Sequence, residues 1–289
     1  MTKALFGPAG GSDAFSSLHK SSAEAPEYLA AMGLDCFEYQ CGRGVNIGRD
    51  ACELIGDAAG RHSIRMSLHS PYFINLSSAD PVRIEKSIKY ILDSARACHY
   101  MGGDRVVVHC GGLSGMSREQ AMENTVSTLG LVLCEMEAQK LSHITLCIET
   151  MGKINVLGDF DEIMAICGRF EALLPCIDFG HLNSRTGGEM NSTGDFERLL
   201  RAMENAIGAE RAKIFHAHFS KIQYSKGGEV RHLTFADKIY GPEFEPLGKL
   251  LAEMGFAPRM ICESAGTQDI DALQMKMVYN KYREYKEEE

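Results

Sequence analysis

Residues 144–150 read ITLCIET. The run is almost entirely apolar or β-branched, and it closes on a carboxylate, Glu149. Such a run suits a parallel strand buried on both faces. A carboxylate at its end, if buried, must be paired or bound to a cation. Seven further runs of the same kind lie along the chain: KALFG (3–7), CFEYQ (36–40), RMSLHS (65–70), RVVVHCG (105–111), LLPCIDFGH (173–181), AKIFHAHFSK (212–221) and PRMICES (258–264).

Helical patterns fill the gaps. VRIEKSIKYILDSARACHYMG (82–102) sets Ile84, Ile88, Ile91 and Ala95 on one stripe and stops at Gly102–Gly103. SREQAMENTVSTLGLVLCEMEAQK (117–140) opens with Ser117 and Gln120 at capping-box spacing. DFERLLRAMENAIG (195–208) keeps the same rhythm, and KYREYKEEE at the C-terminus reads as a solvated helix end. Eight strands alternating with helices in 289 residues predict an α/β fold, a (β/α)8 barrel, as a single domain over 1–289. The competing doubly wound sheet would place a G-x-G-x-x-G loop after its first strand, and FGPAGGSD lacks that spacing.

No stretch reaches the ~18–20 apolar residues of a membrane span, and the N-terminus does not read as a signal peptide, so no membrane partner and a cytoplasmic location are expected. Ten cysteines occur without a C-x-x-C pair. Cys36, Cys147, Cys176 and Cys262 sit inside apolar strands, where a free thiol packs as a small hydrophobe. The net charge of −9 argues against a generally basic nucleic-acid coat, but describes the whole chain and not one face.

The polar residues fall at one end of the predicted barrel. His69 ends the third strand, His109 the fourth and Glu149 the fifth. Asp178 and His181 end the sixth, His216 and His218 lie in the seventh, and Glu263 ends the eighth. In a parallel barrel these C-terminal ends converge on one mouth, where active sites are built. Three carboxylates meeting there in a dry site would repel each other unless a cation joined them. Imidazole with carboxylate suits zinc, manganese or iron. His69, His109 and Glu149 can hold one ion, and Glu149, Asp178, His216 and Glu263 a second. Two such ions clamp the attacking and leaving oxygens of a phosphoester, whereas one would polarise a sugar carbonyl while two glutamates move a proton. By alternation His216 and His218 share a face of their strand, which makes His218 either a donor to a ligand or a substrate contact.

In order and spacing, HSPYFINL, VVVHCGG, IET, DFGH, HAHFSK, RH and CES resemble the endonuclease IV family of apurinic/apyrimidinic endonucleases, within the xylose isomerase-like TIM-barrel superfamily. The match runs from Phe6 to Glu263. The resemblance implies two or three zinc ions, with manganese as a substitute. His69, His109 and Glu149 would hold the first; Glu149, Asp178, His216 and Glu263 the second; His181 and His232 belong to the third. It implies a hydrolase of DNA repair in which metal-bound hydroxide attacks the phosphodiester 5′ to an abasic site, with Glu149 and Glu263 as the catalytic carboxylates. Tyr72 matches the aromatic that lies against the DNA at the damaged nucleotide, and could equally pack against the rim.

Two features depart from the family. The aspartate expected two residues before His232 is replaced by Val230, with Glu229 one step earlier. The loop EYQCGRGVNIG stands where the endonucleases carry a longer segment that penetrates DNA. Glu38 there resembles the strand glutamates of sugar epimerases and isomerases, and Arg43 is either a phosphate contact or a solvated turn residue. The alternative function is therefore a divalent-metal isomerase or epimerase of a small sugar or sugar phosphate.

Overall fold

A computed structural model describes residues 3–288, the side chains of 285–288 excepted. Each predicted apolar run contains a strand: β1 (Leu5–Pro8), β2 (Cys36–Gln40), β3 (Arg65–His69), β4 (Arg105–Val108), β5 (Thr145–Glu149), β6 (Leu173–Asp178), β7 (His216–Phe219) and, after an inserted hairpin, β10 (Arg259–Cys262). The hairpin consists of β8 (Ile222–Ser225) and β9 (Gly228–His232), paired antiparallel.

The eight long-range strands form one parallel sheet in the order β1-β10-β7-β6-β5-β4-β3-β2. Its two outer strands then meet. Asp35 N–H donates to Phe6 O at 2.8 Å, and Gly10 N–H to Glu38 O at 2.9 Å, which brings the barrel nearly to closure. The approach depends on Gly7, since a Cβ there would stand 1.7 Å from the Cys36 carbonyl oxygen.

Alternation along the strands splits the apolar material between two places. Val106, Val108, Leu146 and Ile148 face outward into the main core under the helices. Val107, Cys147, Leu174 and Cys176 form a separate cluster, the plug inside the barrel. At the N-terminal end, Arg259 pairs with Asp104 at 2.7 Å and donates to Met66 O, while Arg105 donates to the carbonyls of Ile214 and Phe215. These bonds tie β3, β4 and β10 to the segment that enters β7 at that end of the barrel.

The predicted helices are present with small changes. Pro81–Tyr100 begins on its proline, and Arg118–Ala138 is capped by Ser117 Oγ, which accepts from Gln120 N–H at 3.2 Å. The Gln120 amide turns to Asn124, so only half of the expected capping box forms. Ser192 caps Thr193–Ile207. The C-terminal helix spans Gln268–Glu288, and Glu289 of the expected helix end lies outside the described residues. The sixth strand is shorter than LLPCIDFGH suggests. It stops at Asp178, whose Oδ1 accepts from His181 N–H at 2.7 Å and starts a helix over Phe179–Arg185. All ten cysteines are free and only Cys134 is exposed, as their apolar settings predict. Among the described residues, no helix is long and apolar enough to cross a membrane.

Candidate metal centre

At the C-terminal mouth, the strand ends converge on one carboxylate. Glu149 is 1% exposed, and each of its oxygens faces two imidazoles. Oε2 lies 2.9 Å from His109 Nε2 and 3.1 Å from His69 Nε2. Oε1 lies 3.2 Å from His218 Nδ1 and 3.4 Å from His181 Nδ1. The arrangement follows from chain position: β3, β4 and β5 are sheet neighbours, so residues at or just past their ends are brought side by side.

Among the described residues, five sets of donor atoms gather at or below this hub, the members of each within 4.8 Å of one another. Two of them, His69, His218 and Glu263, and Cys176, His216 and His218, share members with the three taken up next. The first is His69, His109 and Glu149, as the sequence predicts. The second is Glu149, Asp178, His218 and Glu263. The third is His181, Glu229 and His232. Here Glu229 supplies the carboxylate that Val230 cannot: it reaches His181 Nε2 at 3.4 Å, while Val230 is 52% exposed. The hairpin makes this possible. Gly228 pairs with Lys153, and a Cβ on Gly228 would stand 2.1 Å from Gly152 O, so β9 can lie this close only with glycine there.

The second set corrects the expectation for the seventh strand: His218, not His216, stands with Asp178, Glu149 and Glu263. Both histidines point into the barrel, and the sheet register decides between them. His218 is level with Asp178, whereas His216 is level with Cys176, one layer deeper. There His216 Nε2 lies 2.9 Å from Glu38 Oε2. His218 is fully buried, does not line the cleft, and stands among the atoms of the second set.

Charge is concentrated in a dry volume. Burial alone would raise the Glu149 carboxyl, but His109 and His218 beside it hold it well below the usual range. Burial likewise opposes charge on His69, yet the bond to Glu149 lifts it to about 9. His181 is raised well above its ordinary value despite burial, by Asp178, Glu149 and Glu229. His216 behaves oppositely: burial outweighs Glu38 and pushes it down to about 4, so it is neutral at pH 7. One polar atom in the second set has no hydrogen bond, although the His181 ring stands 3.3 Å from it. Asp178 Oδ2 is fully buried and accepts no hydrogen bond. A divalent cation would satisfy it, and the imidazole and carboxylate donors fit such an ion.

Of the first, second and third sets, all donors except the deeper Asp178 and His218 line a cleft of about 460 Å³, walled by Tyr72, Phe73, Asn75, Met151 and Lys153. Tyr72 is 64% exposed on this rim and stacks edge-on to Phe73, 5.6 Å away. Arg43 is exposed and does not line the cleft, which favours the solvated-turn reading over a phosphate contact. Glu38 is the residue whose place in the site sequence reasoning does not find. It is visible as a carboxylate inside an apolar strand, but its partners lie on β7, 178 and 180 positions away.

A family model described as a xylose isomerase-like TIM barrel matches residues 26–280. An uncharacterised protein of Methanocaldococcus jannaschii is 31% identical over 258 residues, which cover 89% of this chain and 92% of that protein. A probable endonuclease 4 of Mycoplasma pneumoniae is 26% identical over 193 residues, covering 65% of this chain and 63% of that one. The chain thus spans somewhat under two thirds of that relative's length. Among solved structures, a D-tagatose 3-epimerase-like protein superposes with a TM-score of 0.73 at 22% identity, covering 98% of both chains. At that identity the likeness shows a shared fold.

Proposed function

The chain belongs to the xylose isomerase-like TIM-barrel family, and within it we propose a divalent-metal phosphodiesterase of the endonuclease IV kind, which cleaves DNA 5′ to abasic sites. The observation that carries this reading is the pair His69 and His109 on Glu149 Oε2, present in addition to a complete four-donor set. One ion acting on a sugar needs only the four donors.

On this reading zinc is the resident metal, with two or three ions. His69, His109 and Glu149 would hold one, Glu149, Asp178, His218 and Glu263 another, and His181, Glu229 and His232 a third. Such ions supply Lewis-acid charge to phosphoryl oxygens and acidify water.

The chain's own groups do the rest. Glu149 holds the donor sets in register through its two oxygens. Of the two carboxylates of the set that line the cleft, Glu149 and Glu263, Glu263 is the more accessible, with its side chain 15% exposed, and it is placed to take a proton from an incoming water. Lys153 lends positive charge to the same wall. Tyr72 offers a ring on which the sugar or base beside the lesion can stack.

The test is a duplex carrying one abasic site. Nicking by zinc- or manganese-loaded protein supports the proposal, and an intact duplex overturns it.

A second reading has its own support. Glu149, Asp178, His218 and Glu263 would by themselves serve one ion, and a cleft of about 460 Å³ suits a small sugar or sugar phosphate. An isomerase or epimerase would then use Glu149 and Glu263 on opposite faces of its substrate. Deuterium entering a ketose from solvent, with one bound ion per chain, is the result expected of it.

A further inference from the structure

Glu38 stands beneath the mouth, inside the barrel, with no exposed surface. Its Oε1 lies 3.0 Å from His218 Nε2 and accepts from the Gln40 amide at 3.2 Å. Its Oε2 accepts from Ser67 Oγ at 2.9 Å and lies 2.9 Å from His216 Nε2. Hydrogen bonds from His218, Gln40 and Ser67, with the His216 ring packed close, therefore hold this carboxylate in one orientation. The other nitrogen of His218, Nδ1, points the opposite way, 3.2 Å from Glu149 Oε1 and 3.5 Å from Glu263 Oε2.

A neutral imidazole carries one N–H and one lone pair. Both ring nitrogens of His218 face carboxylates, which can only accept. An ion held among Glu149, Asp178 and Glu263 needs the lone pair of the nitrogen on their side, Nδ1, and the one remaining proton then belongs on Nε2, facing Glu38. Glu38 is thus placed to accept a hydrogen bond from that Nε2–H while Nδ1 faces the donor set in the mouth.

We propose that Glu38 is a positioning residue for the metal centre: it locks His218 in its Nε2–H tautomer and fixes the ring so that Nδ1 serves as the ligand. The inference rests on the metal-centre reading above and is indifferent to the substrate. A partner of this kind orients the ring and makes its ligating nitrogen more basic.

The test is zinc uptake by metal-stripped protein, titrated against a chromophoric chelator. Losing such a partner costs roughly 10–100-fold in metal affinity. Glu38→Met, which has no acceptor, should weaken one zinc equivalent by about that factor. Glu38→Gln, which keeps one, should weaken it less. Affinities within twofold of the parent protein for both variants overturn the proposal.

Nitrogen NMR of the zinc-loaded parent protein gives an independent reading, and it decides alone should the variants fail to fold. A proton on His218 Nε2 supports the proposal, and one on Nδ1 overturns it. Neither readout involves DNA or sugar. Failure of abasic-site nicking therefore leaves this result standing, and an unchanged zinc affinity leaves the nicking result standing.

Discussion

Glu229 Oε2 lies 3.4 Å from His181 Nε2, although the two residues come from different parts of the mouth, a β-hairpin and the helix that follows β6. The contact completes a third donor set without the aspartate that the endonuclease IV pattern would place at position 230. Glutamate one position earlier reaches the same histidine, and Val230 is left to solvent. Replacing Glu229 by alanine should therefore remove one bound ion of those the native protein carries. Val230→Ala should leave the count unchanged. Metal analysis of both variants after dialysis checks this, and equal ion content in the two would contradict it.

His109 follows the last residue of β4 and reaches Glu149 from the cleft side, outside the hydrophobic core, so its removal should spare the fold. His109→Ala is expected to lower phosphodiester cleavage by at least the roughly 10–100-fold that loss of a supporting partner costs a metal site. If the chain is a single-ion sugar enzyme, the same variant keeps most of its activity on ketoses. Steady-state rates on both substrate classes separate the two outcomes.

Gly7 is where the first and second strands meet, and a methyl group there would collide with the Cys36 carbonyl. The neighbour is backbone and cannot rotate away. Gly7→Ala should cost about 1–3 kcal/mol, the usual penalty of overpacking, or more if the seam opens. A urea titration followed by circular dichroism measures it. An unchanged midpoint would mean that β1 and β2 do not approach as described.

Asp104 gives a pH signature far from the metal centre. Burial alone would raise its carboxyl, but the Arg259 guanidinium beside it outweighs that and holds it below the ordinary value. A group whose pKa is lower in the folded state stabilises the protein above its unfolded pKa of about 3.9, and that contribution is lost as pH falls through the folded value. The gap in urea midpoint between the parent protein and Asp104→Asn should therefore be full near about pH 6 and shrink below about pH 3.5. A gap that does not change with pH would contradict the pairing.

The strand ends of the barrel are legible in the sequence because a His, Asp or Glu that closes an apolar run is carried into a dry place and demands a partner there. His69, His109, Glu149, Asp178 and Glu263 reach the mouth for that reason, and His181 follows Asp178 by one helical turn. Period-two alternation says that His216 and His218 share a face, but not which layer each occupies. That depends on the register of β7 against β6, a property of two distant segments. The role of Glu38 escapes a sequence reading for the same cause, since its meaning lies in His218 across the barrel. The hairpin that carries Glu229 and His232 looks like a loop in sequence: IQYSKGGEVRH is too short and polar to announce strands, and its pairing depends on Gly228 lying against residues 152–153.

More than one divalent ion in this mouth, acting on a phosphodiester, is the central claim. The most direct measurement is incubation of zinc-loaded protein with a duplex containing a single abasic site, the products resolved on a denaturing gel. One cut is predicted, immediately 5′ to the site, leaving a 3′-hydroxyl that a polymerase can extend, and abolished by His69→Ala. An intact duplex, together with solvent deuterium entering a ketose, would contradict it.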